Sequence, residues 1–330
     1  MRFTGLKYLQ LLACLGLFAC GSAERYDVVI VGGGASGTAA GLQAARMGAR
    51  TLIVEEFDWL GGMLTSAGVS ATDGNYRLRG GIWDEFRTEL ARHYGCDSAL
   101  ITGWVSNVMF EPSVGDSIFK RLVAREPNLT VWYRSAAEMA ERGKDVWRLG
   151  VRRDGRLRPV EADVLVDATE LGDVARMAGV PYDVGMDSSA VTHEDIAPAE
   201  ANGIVQDLTY VAVLKDYGRD VTIPRPDGYD PSLFACCCVN DLCIAPKEPH
   251  RMWSREMMIT YGKLPDGKYM INWPIEGNDY YVDMIDMTPE GRADAVRRAK
   301  NHTLSFVYFL QHELGFNTLG LADDEFPTED

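Results

Sequence analysis

An α/β fold built round a parallel sheet is predicted by three consecutive features near the start of the chain. The apolar run at 26–31 is typical of a strand buried on both faces. A glycine-rich turn at 32–37 follows it, and the small residues at 38–48 suit a helix packed closely on a sheet. A second apolar run at 51–54 completes a strand–helix–strand unit, whose strands are expected to run parallel because a helix connects them.

The glycines of the turn have the Gly-x-Gly-x-x-Gly spacing that dinucleotide binding requires. Gly32 permits the tight turn, Gly34 lets the backbone approach a pyrophosphate, and Gly37 lets helix and strand pack closely. The N-terminus of the following helix presents free N–H groups to the phosphate charge. Because all parts occur in order, they predict a Rossmann-type dinucleotide-binding unit. The phosphate-binding turn is predicted to comprise Gly32, Gly33, Gly34, Ala35, Ser36 and Gly37.

An acidic residue closes the second strand. Glu55 follows the apolar run directly, about 20 positions after the glycines, where a carboxylate accepts hydrogen bonds from a ribose. Glu56 is the alternative for this role. The pair completes the predicted nucleotide unit.

The composition excludes two classes of partner. The 330 residues include 33 basic and 48 acidic side chains, which gives a formal charge of -15. Such a surface repels nucleic acid and anionic lipid, and no basic block offers a local exception. We therefore expect a small-molecule substrate and no nucleic-acid partner.

The segment after the acid separates FAD from NAD. Leu60-Gly61-Gly62-Met63 resembles the continuation found in glutathione-reductase and succinate-dehydrogenase-like flavoproteins. The resemblance implies FAD as the cofactor, with Gly61, Gly62 and Met63 close to its phosphates and ribityl chain. An NAD-only dehydrogenase usually lacks this segment.

A second block supports the same resemblance. Asp167-Ala168-Thr169 ends an apolar run and is similar to the flavoprotein strand that returns to the nucleotide and ends in Ala-Thr-Gly. Glu170 stands where that form has glycine. The Thr-Glu-Leu-Gly-Asp sequence resembles a subgroup of bacterial FAD-dependent oxidoreductases. Further pieces that resemble this subgroup lie at 110–112, 182–185, 206–210 and 272–274.

The domain organisation follows from these blocks and from a change in pattern. We expect a Rossmann-like FAD-binding domain at 26–180 and an inserted, proline-rich, antiparallel β-rich substrate domain at 181–288. A helix from Pro289 begins the last part, 289–330, as an incomplete return to the FAD domain. The resemblance implies a longer chain with a closing glycine-bearing segment, so we expect this chain to be truncated.

The N-terminus is typical of an export signal. Basic Arg2 and Lys7 flank an apolar run at 8–19 that is too short for a stable transmembrane helix. Leu17-Phe18-Ala19-Cys20 resembles a bacterial lipobox, which implies a signal peptide at 1–20 and a lipid on Cys20. An ordinary secretory signal without lipid is the alternative. We expect a periplasmic or envelope location, with membrane contact only through that lipid.

The cysteines leave several interpretations open. Seven are present, and Cys14 and Cys20 belong to the export segment. The triplet Cys236-Cys237-Cys238 with Cys243 allows a structural disulfide, a redox dithiol or buried free thiols. A metal site would want a second spaced pair, which is absent.

No catalytic acid or base can be named from the sequence. Arg77 and Arg79 follow the cofactor segments and could clamp a carboxylate or a reduced flavin, or be solvated loop arginines. The five histidines have no ligand spacing, so no metal is expected. The predicted function is a FAD-dependent oxidoreductase that moves a hydride between an organic substrate and flavin, with a separate electron acceptor. The alternative is a non-catalytic or accessory FAD-binding exported lipoprotein.

Overall fold

The computed structural model describes the chain from residue 23 to residue 326. It has two compact units. The first takes in residues up to Ser66 together with Asp116–Pro181, and the second takes in Ala67–Gly115 together with the chain from Tyr182 onward. The predicted signal peptide and Cys20 lie outside the described residues.

The first unit is organised round one six-stranded sheet. Its strands, in chain order, are β1 Glu24–Val31, β2 Thr51–Val54, β3 Leu129–Trp132, β4 Ser135–Arg142, β5 Trp147–Arg153 and β6 Arg156–Asp167. Their order in the sheet is β3-β2-β1-β6-β5-β4. β1 pairs in parallel with both β2 and β6, and β2 pairs in parallel with β3, whereas β4, β5 and β6 are antiparallel. The predicted α/β fold is confirmed.

Helix α1, Ala35–Arg46, packs on this sheet through small side chains. A Cβ on Gly41 would lie 2.6 Å from Cδ1 of Ile53, so only glycine allows this close approach of helix and strand. Every residue of β2 is buried, which explains why the three residues after Thr51 are all apolar. The β5–β6 hairpin turns at Asp154 and Gly155, a dipeptide that favours such turns.

The second unit combines helices with two small antiparallel sheets. Its strands are β7 Leu208–Thr209, β8 Ala212–Asp216, β9 Lys268–Ile271, β10 Asp279–Tyr280 and β11 Leu319–Leu321. Strands β8, β9 and β11 form one sheet in the order β11-β8-β9, and β7 pairs with β10 in the other. The α-helices after α1 are, in chain order, α2 Gly81–His93, α3 Pro112–Val123, α4 Asp173–Met177, α5 Ser189–Thr192, α6 Arg255–Thr260 and α7 Pro289–His312. Helix α4 belongs to the first unit, and α3 begins in the second unit and ends in the first. The other four belong to the second unit.

Helix α7 carries much of the second core. It begins with Pro289 after Thr288, whose side chain accepts a hydrogen bond from the N–H of Gly291. Phe306 and Phe309 of this helix are almost fully buried. Within residues 23–326, no helix combines the length and apolar character that crossing a membrane requires.

Candidate cofactor site

The glycine turn after β1 is sterically restricted to glycine. Gly32 has φ +99°, and a Cβ there would lie 2.2 Å from the carbonyl oxygen of Ala168. A Cβ on Gly37 would lie 1.9 Å from the carbonyl oxygen of Gly32. The first and third glycines of the fingerprint therefore have the roles predicted for them, a tight turn and close packing of α1.

The N-terminus of α1 is left open to an anion. Gly34 is its N-cap and provides no side-chain cap, and the first turn contains no acidic residue. A Cβ on Gly34 would meet only the Oε1 of Glu170, at 3.4 Å. The N–H groups of Ala35 and Ser36 stand in this first turn, where helix geometry leaves such groups for a ligand.

The carboxylate of Glu55 lies at the carboxyl end of β2 and bonds to the turn. Its Oε2 accepts a hydrogen bond from the N–H of Gly33 at 2.5 Å, and its Oε1 accepts one from the N–H of Phe57 at 2.8 Å. Burial raises the pKa of Glu55 above its ordinary value, against the opposing effect of these two donors. Glu56 has an exposed side chain. The structure thus places Glu55, rather than Glu56, against the glycine turn.

The Leu-Gly-Gly segment runs alongside the turn. The N–H of Gly61 donates to the carbonyl of Gly33 at 2.8 Å, and Gly61 pairs in parallel with Gly34. A Cβ on Gly62 would lie 2.8 Å from the Cα of Gly34, so this close approach of the two segments requires glycine at position 62. Met63 follows in a 3₁₀ turn and is 56% exposed.

Asp116 holds this segment in place and was not predicted from the sequence. Its Oδ1 accepts a hydrogen bond from the N–H of Leu60 at 2.8 Å, and its Oδ2 accepts one from the Nζ of Lys120 at 2.7 Å. The carboxylate is buried. The only sequence signal was the i, i+4 pair of opposite charges on a helix, which is more often a surface feature.

The end of β6 forms the third side of the site. The N–H of Ala168 donates to the carbonyl of Val31 at 2.8 Å, which places Ala168 against the glycine turn. Asp167 accepts hydrogen bonds from the N–H and hydroxyl of Thr169 and from the N–H of Ala175. These predicted cofactor residues lie at the site, but the Asp167 carboxylate is used to shape the turn after β6.

We call the adjoining segments Gly32–Gly34, Gly61–Gly62 and Ala168–Glu170 the glycine cradle. It lies at the carboxyl ends of β1, β2 and β6, where parallel sheets bind ligands. Backbone approaches that exclude any side chain, together with an uncapped helix N-terminus, suit a pyrophosphate. The residues present fit the phosphate-bearing part of FAD.

Other predicted features lie in the second unit. Arg77 Nε donates to the hydroxyl of Tyr76, and Arg79 pairs with Asp84 at 3.3 Å and Asp97 at 3.6 Å. Their proposed contact with substrate or flavin stays a prediction.

The cysteine group contains a disulfide. Cys236 is bonded to Cys243, while Cys237 and Cys238 are buried free thiols whose sulfur atoms are 3.9 Å apart. The structural-disulfide interpretation is confirmed. Among residues 23–326, no group of three or more His, Cys, Asp or Glu side chains is arranged to hold a metal ion.

The fold and the cradle define a Rossmann-type dinucleotide-binding protein. The model of the FAD dependent oxidoreductase family matches residues 27–329, and the chain belongs to that family. FAD, rather than NAD alone, is accordingly the cofactor, as the Leu-Gly-Gly segment predicted.

More distant similarities cover parts of other proteins. An NADH:fumarate oxidoreductase from Klebsiella pneumoniae (strain 342) is 44% identical over 63 residues, which are 18% of this chain and 7% of that one. A geranylgeranyl bacteriochlorophyll reductase-like protein from Thermoplasma acidophilum is 20% identical, with a TM-score of 0.35 over 48% of this chain and 43% of that one. The p-nitrophenol 4-monooxygenase from Pseudomonas putida DLL-E4 is 11% identical, with a TM-score of 0.38 over 85% and 62%. The chain spans less than two thirds of each of these relatives.

Proposed function

We propose that the first unit binds FAD in the glycine cradle and that the protein is an oxidoreductase that exchanges a hydride between a small organic substrate and FAD. The observation that carries the proposal is the convergence of three backbone segments, two of them glycine-rich, at the carboxyl ends of adjacent parallel strands. When bound, FAD supplies the redox chemistry, while the protein supplies binding and orientation. A separate electron acceptor completes the proposed reaction.

Each side of the cradle has a defined part in binding. The turn at Gly32–Gly34 and the first N–H groups of α1 hold the pyrophosphate by hydrogen bonds and by the helix dipole. Glu55 orients the ribose, because each of its oxygens retains a lone pair beyond the backbone hydrogen bond it accepts. Gly61 and Gly62 leave room for the chain that joins the pyrophosphate to the flavin ring.

A matched pair of glycine variants tests cofactor binding. Gly34→Ala adds a methyl group that would meet only the flexible end of Glu170, so the fold is retained while the cradle is narrowed. Gly203→Ala is the control, because a Cβ there has nothing within 4 Å. We expect FAD to remain with the native protein and Gly203→Ala after desalting, and Gly34→Ala to bind about tenfold more weakly, an effect of roughly 1.4 kcal/mol.

The flavin absorbance of the desalted protein then tests turnover. Bleaching by candidate substrates or by an artificial donor is the expected result and identifies the substrate. A bound flavin that no donor reduces would favour the accessory FAD-binding role. A protein that retains no flavin and shows no affinity for FAD would contradict the proposed function.

We further propose that the protein is exported and carries a lipid on Cys20. The Cys236–Cys243 disulfide supports export, since such bonds persist in oxidising compartments. Labelled palmitate added to cells should enter the native protein but not Cys20→Ala. An unlabelled protein recovered from the cytoplasm with Cys236 and Cys243 reduced would contradict both parts.

A further inference from the structure

The acidic side chain of Glu170 lies against Gly34 and Gly62, two glycines of the cradle. The Oε1 of Glu170 is 3.4 Å from the position that a Cβ on Gly34 would take, and 3.2 Å from the corresponding position on Gly62. Those two glycines themselves approach so closely that a Cβ on Gly62 would lie 2.8 Å from the Cα of Gly34. The carboxylate therefore lies against both glycines, at the point where their two segments approach each other.

The backbone that carries Glu170 is fixed, while its side chain can move. Thr169 is held through its N–H and hydroxyl by Asp167, and the N–H of Asp173 donates to the Thr169 hydroxyl at 2.8 Å. Glu170 itself is exposed. A fixed Cα and an exposed side chain allow the carboxylate to rotate away without rearrangement of the turn.

The negative charge of Glu170 has the same sign as that of the pyrophosphate that the cradle would bind. The open N-terminus of α1 attracts anions, and a pyrophosphate brings two negative charges to it. A carboxylate at the same place competes for the volume and repels the phosphate charge. The N-terminus of α1 therefore favours FAD binding, and the carboxylate of Glu170 beside it opposes FAD binding.

We propose that Glu170 is an anionic gate on the glycine cradle, a residue that sets the affinity for FAD by opposing entry of the pyrophosphate. This inference rests on the proposed function, since it concerns the same site. The gate keeps the flavin exchangeable, because FAD enters only as the carboxylate moves aside.

Three proteins test the gate by equilibrium titration with FAD in the presence of a chelator. The first two are the native chain and Glu170→Gln, which keeps the shape and removes the charge. The third is the control Asp154→Asn, which removes one charge at the opposite end of β6. Asp154 is 81% exposed and has φ +50°, a conformation that asparagine tolerates.

Glu170→Gln should bind FAD about fivefold more tightly than the native chain at an ionic strength of about 0.01 M, where charges interact over roughly 30 Å. The difference should vanish at about 1 M, where the range falls to roughly 3 Å. Asp154→Asn should match the native chain throughout. ADP, which carries the pyrophosphate without the flavin, should show the same gain with Glu170→Gln.

Two results would overturn the gate while the proposed function stands. One is equal or weaker binding of FAD by Glu170→Gln, and the other is a gain for FAD that ADP does not share. No binding of FAD by any of the three proteins would instead refute the proposed function, and the gate with it.

Discussion

At the scale of single residues, Glu55 joins the fold to the site. Its carboxylate accepts hydrogen bonds from two backbone N–H groups while buried at the end of β2. We expect Glu55→Gln to lower the free energy of unfolding by about 1–3 kcal/mol, because the amide cannot accept both bonds as the carboxylate does. FAD binding should also weaken. Glu56→Gln, at the exposed neighbour, should change neither quantity.

Because the pKa of Glu55 is raised, the difference in stability between the native protein and Glu55→Gln should depend on pH. An acid whose pKa is higher in the folded state binds its proton more tightly there, so its ionisation costs stability as pH rises from about 4.5, the ordinary value. Native protein should therefore lose stability relative to Glu55→Gln as pH rises from there toward neutrality. Urea unfolding of both proteins across that range measures the difference. A constant or widening advantage of the native chain would refute this assignment.

The sequence predicted the residues whose role depends on local spacing and missed those that depend on the folded turn. Gly32, Gly37 and Glu55 were found because a strand–turn–helix–strand unit fixes their positions by itself. The contact of Glu170 with the cradle requires the folded turn after β6, and that of Asp116 with Leu60 joins residues 56 apart. The periodicity of apolar residues in the sequence does not indicate these two contacts.

At the scale of elements, Asp116 connects a helix to the Leu-Gly-Gly segment. Asp116→Ala would leave the buried N–H of Leu60 without its acceptor, which should cost about 1–3 kcal/mol of stability and weaken FAD binding. Lys120→Ala is the matched control, because it removes the partly exposed ion pair and a cation–π contact with Tyr133 but leaves the acceptor of Leu60 in place, and it should cost about 1 kcal/mol or less. Chemical denaturation and FAD titration report the two effects. Equal losses in the two variants would show that the ion pair, not the loop contact, matters.

The segment 236–243 gives a second expectation at this scale. In the native protein, an alkylating reagent should modify the exposed Cys96 and spare Cys237 and Cys238, which are buried. Denaturation should expose those two thiols, and only reduction should release Cys236 and Cys243. Peptide mapping after each step tests this order. Modification of Cys236 or Cys243 without reductant would exclude the disulfide.

The start of a helix can be predicted from local sequence, whereas the length of a strand cannot. The helix expected from Pro289 is α7, Pro289–His312, because its start is encoded locally by Thr288 and Pro289. The residues at 280–287 predict a strand, but the strand ends at Tyr280. Its partner β7 offers only Leu208 and Thr209, and a strand cannot extend past its partner. The apolar spacing of this helix predicts that Val296 is buried, but it is 36% exposed.

At the scale of the whole molecule, local order in the sequence predicted the parallel sheet but not how the chain is divided. The first unit is assembled from two stretches separated by Ala67–Gly115, and the second contains that stretch and everything from Tyr182. Contacts between residues this far apart depend on side chains whose partners the sequence does not indicate. The surplus of acidic over basic residues indicates which partners the protein can bind, but it does not indicate how the chain is divided into units.

Lys268 shows how such distant contacts hold the second unit together. Its Nζ lies 2.6 Å from both Glu111 and Glu325, and all three side chains are buried. Burial alone would lower the pKa of Lys268, but the hydrogen bonds to Glu111 and Glu325 outweigh it and raise the pKa. A raised lysine pKa stabilises the fold fully below the ordinary value of 10.5, and this contribution is lost only as pH rises through the folded-state pKa.

Removal of this lysine should therefore be costly at neutral pH. Lys268→Met leaves two buried carboxylates without their cation, and we expect a loss of about 3–5 kcal/mol. Lys215→Met is the control, since Lys215 pairs with Asp323 and Asp324 at the surface and its removal should cost far less stability. The loss for Lys268→Met should shrink at acid pH, because protonation neutralises the stranded carboxylates. Denaturant midpoints at neutral and acid pH measure the loss of stability in each variant. If Lys268→Met loses no more stability than Lys215→Met, the buried ion pairs of Lys268 stabilise the fold no more than a surface pair does.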